Sequence, residues 1–269
     1  MYAIAQSNHF SDCETMGQTQ LEKYFYETRS PVYAVLFVVP LFLIYEILAL
    51  TLHKLQITHL RNGADVMMRN LVSLFGLDNF PFIVLLILGA LAVTAGYYKK
   101  KHQMQLRLPY FGLLMGESML YALMMGSVAL NTTNFILSIP HLFSLSLTMF
   151  DSNLWVNVML SFGAGIHEEF FFRLVLIQAF LFLGSFIFKA NPKSPIWNWN
   201  SIIALILSSC IFSYFHYIGE YGDTFAWGSF VFRWVSGLYL AVIYLTRGFG
   251  VSAWTHAFYD LFLMTGIME

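Results

Sequence analysis

The sequence predicts an all-α fold, a polytopic transmembrane helical bundle of about seven or eight membrane helices. Hydrophobic residues make up 58% of the 269 and charged residues 11%, where soluble domains carry about 25% charged residues. The mean hydropathy of +0.65 is spread over most of the chain. Apolar stretches of the roughly 20 residues that a helix needs to cross a bilayer recur along it. One continuous bundle over 31–269 is therefore expected, behind a polar leader at 1–30.

The leader carries Asp12, Glu14, Glu22 and Glu27 and lacks the basic start and short apolar core of a secretory signal. It reads as a soluble leader or a surface helix. Pro31 to Leu52, Phe80 to Tyr98, Tyr110 to Leu130 and Ile202 to Ile218 each qualify as a span. Phe225 to Leu245 and Phe249 to Met268 follow, and the Thr246-Arg247-Gly248 break between them reads as a hairpin that sets two helices side by side. Leu154 to Phe188 is too long for one crossing and reads as a full span followed by a shorter or re-entrant piece. Asn134 to Phe150, with Pro140 and His141, stays ambiguous. Arg61 to Leu77 mixes Arg61, Asp65 and Arg69 with Val66, Met67, Leu71 and Leu74, which suits a helix lying at the membrane interface. Gly112 and Gly116 form a G-x-x-x-G, a pattern that lets backbones approach closely.

A net charge of −1 and the absence of a basic stripe argue against a nucleic-acid partner. The two cysteines, Cys13 and Cys210, supply neither a disulfide framework nor a cysteine-based metal site. Lys99, Lys100, Lys101 and His102 with Arg107, and also Lys189 and Lys193, belong on the cytoplasmic side by the positive-inside tendency. Counting back through two spans puts the N-terminus inside as well, in an integral protein of the plasma (inner) membrane surrounded by lipid.

Ionisable residues are the informative ones here, because each costs about 2.5–3.5 kcal/mol at the centre of a membrane helix. His167-Glu168-Glu169-Phe170-Phe171-Phe172-Arg173 places charges in an otherwise apolar helix. Adjacent helical residues point about 100° apart, so Glu168 and Glu169 face different surroundings. Glu169 has Arg173 four residues on, the favourable order for an ion pair. Glu168 has Phe172 there instead, and so is the better candidate for a proton-shuttling carboxylate. Phe212-Ser213-Tyr214-Phe215-His216 ends an apolar span, with Phe212 one turn before the imidazole. His256 and Asp260 share one helix face, where the carboxylate can fix the imidazole tautomer or sustain its charge.

Each cluster also has a structural reading. Intramembrane charges pair whether or not they act, and a single His often serves as a hydrogen-bonded core residue. Glu46, Glu117 and Arg233 also fall inside spans and are assigned structural or gating roles. Two acids, an Arg and two histidines on three apolar helices are most economically explained by one shared polar site.

The ordered set Glu168-Glu169-x-x-x-Arg173, Phe212-x-x-x-His216 and His256-x-x-x-Asp260 resembles the CPBP family (CAAX protease and bacteriocin-processing) of intramembrane proteases, over about residues 154–269. The resemblance implies peptide-bond hydrolysis of a membrane-associated protein or peptide. Glu168 acts as general base on a water that His216 also holds, His256 with its i+4 partner stabilises the oxyanion, and Glu169 and Arg173 hold the helix and the base in place. The last position is often Asn in such proteins and is Asp260 here. Asp260 therefore is protonated, supports a protonated His256, or binds a metal. Glu168, His216, His256 and Asp260 are the ligand set if a divalent metal such as Zn²⁺ takes part, and a metal-free route is the alternative. His167-Glu168 begins like H-E-x-x-H, but Phe171 stands where the second His is required, so this is not a zincin. Competing readings from other classes are a proton-coupled transporter or channel and an inactive membrane scaffold or immunity protein.

Overall fold

The computed structural model describes residues 19–74, 76, 80–101, 105–138, 153–188, 198–219 and 222–264, with the backbone alone for 80–88, 90, 91 and 188. Among the described residues all regular structure is helical. Helix α1, Gln20–Thr28, opens with a capping box in which the Thr19 side chain accepts from Glu22 N–H and the Glu22 carboxylate accepts from Thr19 N–H. Ser30 caps α2, Pro31–Lys54, with Pro31 at the first helical position, where no donor is missed. Asn62 caps the short α3, Gly63–Ser73, within the stretch expected at the interface. Helices α4, Phe80–Lys101, and α5, Leu108–Leu137, follow. The latter takes in the first residues of the ambiguous Asn134 to Phe150 window, whose remainder from 139 lies outside the described residues, as do Asp12, Cys13, Glu14, His102, Lys189 and Lys193.

The structure differs from expectation over Leu154 to Phe188. Helix α6, Leu154–Gly163, runs through π-helical stretches at Ala164–Glu168 and Phe170–Ile177 into α7, Gln178–Phe188, without a break. No turn residue interrupts the run, and the extra length is carried by one helix with a locally widened winding. Helix α8, Trp199–Phe215, precedes the hairpin of α9, Trp227–Arg247, and α10, Phe249–Met264. That hairpin packs side by side as the sequence suggests, and its turn is made by Gly248 at φ 91°, a left-handed conformation that favours glycine.

Among the described residues four helices are long and apolar enough to cross a membrane: Pro31–Lys54, Leu108–Leu137, Leu154–Ile187 and Trp227–Arg247. Trp199–Phe215 is a shorter apolar helix. Helix α10 is the hub. All eight residues from Gly250 to Ala257 are buried, because α2, α5, α6, α9 and the π-helical stretch surround them. Trp254 Nε1 donates to the carbonyl of Phe37 at 2.7 Å and ties α10 to α2.

Two polar locks brace this core. The Glu117 carboxylate on α5 accepts from Arg247 Nε and Nη2, the latter at 2.7 Å, and from Tyr24 Oη at 2.7 Å. Arg247 Nη2 also donates to Thr28 Oγ1 at 3.0 Å. The segment read as a leader or surface helix is therefore fastened, over α1, to the α9–α10 turn. On α9, Arg233 pairs with Asp223.

Close backbone approach decides how α10 meets the helix beside it. A Cβ at Gly165 would lie 2.5 Å from the Ala253 carbonyl oxygen and 2.7 Å from Ala257 Cβ. Gly112 and Gly116, by contrast, face open space, so the G-x-x-x-G marks no helix contact among the described residues. The Gly165→Ala substitution is expected to cost about 1–3 kcal/mol by overpacking and to lower the thermal midpoint in detergent, whereas Gly112→Ala leaves it unchanged.

Candidate active site

Two consecutive carboxylates on the π-helical stretch face different partners, as their angular offset requires. Glu169 is fully buried. Its Oε1 lies 3.0 Å from Arg173 Nη1 and 2.9 Å from His256 Nδ1, and its Oε2 accepts from Ser252 Oγ. The ion pair with Arg173 is the one the i, i+4 spacing suggests. Arg173 is held further by the Gly237 carbonyl, at 3.3 Å, and lies 4.3 Å over the Phe212 ring, a cation–π contact in a desolvated setting.

Glu168 is also buried. Its Oε1 accepts from Asn62 Nδ2 at 2.9 Å, and its Oε2 has no hydrogen-bond partner. The groups acting on it electrostatically include His216, His256 and Arg173. Phe212 shows how closely these gather. Its ring centroid is 5.0 Å from that of His216 and 5.9 Å from that of His256, both edge-on. His216, at the C-cap of α8, places Nδ1 2.9 Å from the Phe212 carbonyl oxygen. A carbonyl accepts only, so Nδ1 carries the proton and the neutral ring presents Nε2 as an acceptor.

His256 Nδ1 likewise faces a carboxylate oxygen, that of Glu169. Asp260 Oδ2 stands 3.7 Å from Nε2, too long for a hydrogen bond. The tautomer is thus fixed by Glu169 rather than by the i+4 partner Asp260, because the direct hydrogen bond comes from the neighbouring helix. Ser252, His256 and Asp260 form one stripe at intervals of four on α10, a signal present in the sequence although Ser252 was not singled out. Asn62 carried no such signal beyond being a capping residue before a helix.

His167 turns the other way. Its Nδ1 donates to the Gly163 carbonyl at 3.0 Å, and its Nε2, 3.8 Å from Asp65 Oδ1, has no hydrogen-bond partner. There a second polar cluster anchors α3. Asp65, fully buried, accepts from Tyr45 Oη at 2.7 Å, Arg61 Nη1 at 2.9 Å and Arg69 Nε at 2.7 Å. Both guanidiniums also reach Glu46. Burial pushes the Asp65 carboxyl up, but His167, Tyr45 and the two guanidiniums outweigh it and hold the group below the usual carboxylate range.

Glu46, Asp65 and His167 are the one trio among the described residues whose ligand atoms all lie within 4.8 Å of one another. Both carboxylates there are already paired with Arg61 and Arg69, which makes the cluster a salt-bridge lattice rather than an open cation site. Glu168, His216, His256 and Asp260 do not form such a compact set; Nδ1 of each imidazole is engaged by Phe212 or Glu169, which leaves Nε2 as the ring atom that would hold a divalent ion if one takes part.

Residues 150–262 match the family model described as type II CAAX prenyl endopeptidase Rce1-like. The matched stretch contains all three motifs and bears out the resemblance to CAAX proteases read from them. No curated protein and no solved structure matches the chain.

The folded Asp65 carboxyl titrates below its unfolded range. Its contribution to anchoring α3 is therefore fully present above about pH 4 and is lost as pH falls through the lower folded value. Amide protection of α3 in hydrogen exchange is expected to persist to mildly acidic pH and to collapse below it. Asp65→Ala, which strands two guanidiniums, is expected to destabilise α3 by about 3 kcal/mol already at neutral pH.

Proposed function

We propose that this protein is an intramembrane endopeptidase that hydrolyses a peptide bond of a membrane-associated protein or peptide. The observation that carries the reading is the partnerless Oε2 of buried Glu168, set among His216 and His256 around Phe212 in the family-matched stretch. An ionisable oxygen left without a donor in a dry interior is costly unless a reacting water meets it.

In this reading a water donates one hydrogen bond to Glu168 Oε2 and the other to His216 Nε2. Glu168 removes a proton as the water oxygen bonds to the scissile carbonyl carbon. The carbonyl oxygen becomes an oxyanion and is met by a proton on His256 Nε2, with the positive ring balanced by Glu169 at one edge and Asp260 at the other. Glu168 then passes its proton to the amide nitrogen, the C–N bond breaks, and a carboxylic acid and an amine leave, the acid giving its remaining proton to the amine in water. Asp260 supports the charge of His256 here instead of touching the oxyanion, which answers the repulsion that a carboxylate in an oxyanion site would cause. No step is routed through a metal.

The substrate class for a first assay is a prenylated CAAX peptide in lipid vesicles, since the matched family is described as a CAAX prenyl endopeptidase. The four candidate spans together with Phe80–Lys101, Trp199–Phe215 and Phe249–Met264 make seven membrane helices. The lysine-rich end of α4 then lies on the cytoplasmic side of a plasma-type membrane, with the N-terminus on that side too.

Glu168→Gln is expected to abolish cleavage in vesicles, and a fully active variant would sink this mechanism. His256→Ala is expected to lower kcat by about 10²–10³. Asp260→Asn, which keeps the shape and a polar neighbour for the ring, is expected to stay within about tenfold of the parent.

A further inference from the structure

Asn62 lies 106 residues before Glu168 and outside the matched family stretch, yet it is the hydrogen-bond donor found on the Glu168 carboxylate. An amide side chain offers either a donor or an acceptor face, and which one Glu168 meets is set by the other end of the group. Asn62 Oδ1 accepts from Ala64 N–H at 2.9 Å as the N-cap of α3. Its NH₂ is thereby the face left for Glu168. A donor supports the ionised, proton-accepting form of a carboxylate, and an acceptor would oppose it.

Three further features hold this face in place. Gly163 lets the start of α3 come close, since a Cβ there would stand 2.8 Å from Asn62 Cβ and 2.7 Å from the Tyr45 ring. The Asp65 lattice clamps the first turn of α3 to α2 and brings Asp65 to 3.8 Å from His167, the residue next to Glu168. A Cβ at Gly63 would stand 3.8 Å from the Phe215 ring, so the same turn also abuts the end of α8 that carries His216.

The geometry points to Asn62 as a positioning residue that holds Glu168 in its base form, with the interfacial helix α3 serving as its mount. This rests on the reading of Glu168 as the general base. Because Asn62 reaches Glu168 Oε1, Oε2 is left for the water, and the effect is on turnover rather than on substrate affinity.

The test compares Asn62→Ser and Asn62→Asp with the parent, as full-length protein in vesicles with a prenylated CAAX peptide as probe. Asn, Ser and Asp cap helices about equally well, so a purely structural role predicts equal kcat for all three. Positioning predicts a graded loss: about tenfold in kcat for Ser, whose single, shorter hydroxyl stays at the cap and no longer reaches Glu168, and a larger loss for Asp, which sets a second negative charge against Glu168. KM, thermal midpoint and hydrogen-exchange protection of α3 stay at parental values. Equal kcat in the three proteins, or losses that track a falling midpoint or lost α3 protection, would overturn the inference. Should Asn62→Asp fail to fold, Asn62→Ser carries the comparison alone. Glu168→Gln run beside them separates the two readings. If it cleaves normally, the protease mechanism falls; if it is dead while both Asn62 variants turn over at the parental rate, only the role of Asn62 falls.

Discussion

A carboxylate taken out of water must be met by donors or a counter-charge, and Glu169 has two hydrogen-bonding partners and a guanidinium. Arg173 comes from its own helix, while His256 and Ser252 come from α10. Satisfying that one buried charge fixes the rotation and height of α10 against the long Leu154–Phe188 helix. Once α10 is placed, His256 has its tautomer, Asp260 has its place at the far edge of the ring, and Phe212 is enclosed between Arg173 and the two imidazoles. Replacing Glu169 by an apolar residue would leave Arg173 without its counter-ion in a site where water does not compensate.

The local winding of the backbone serves the same end. A π-helical turn is wider than an α-turn, disturbs the regular hydrogen-bond ladder, and is frequent at functional sites. Ser208 on α8 donates its hydroxyl to the Phe172 carbonyl in this stretch, so a neighbouring helix supplies part of the satisfaction. The stretch also needs neighbours without bulk. Gly165 against Ala253 and Ala257 provides that on α10, and Gly163 against Tyr45 and Asn62 provides it on α2 and α3. In a lipid setting apolar surface does not by itself drive helices together, so small residues and polar contacts decide which faces meet.

The polar contacts are spread in three places with three consequences. The Glu169 group holds together two of the three helices that carry the catalytic candidates. The Asp65 lattice holds α3, which covers Glu168 with a donor. The Glu117–Arg247 pair fastens α1 to the start of α10, at the opposite end of that helix from Asp260. Each group joins segments far apart in the chain, and each leaves its charged members matched within the cluster.

Helical class, membrane setting, the α9–α10 hairpin and the Glu169–Arg173 pair could all be read from the amino-acid sequence. They depend on composition or on spacings of a few residues, and helical geometry converts such spacings directly into shared faces. The packing of Phe212 beside His216 followed for the same reason. What tertiary structure decided are the pairings of Glu168 with Asn62, His256 with Glu169, Asp65 with Tyr45, and Glu117 with Arg247, together with the winding of Leu154–Phe188 as one helix. These depend on how far helices rotate and slide past one another, and periodicity carries no information about that. In this protein the rotation is set by where buried charges find donors and where glycines admit a neighbouring backbone, both of which come into being only when distant segments meet.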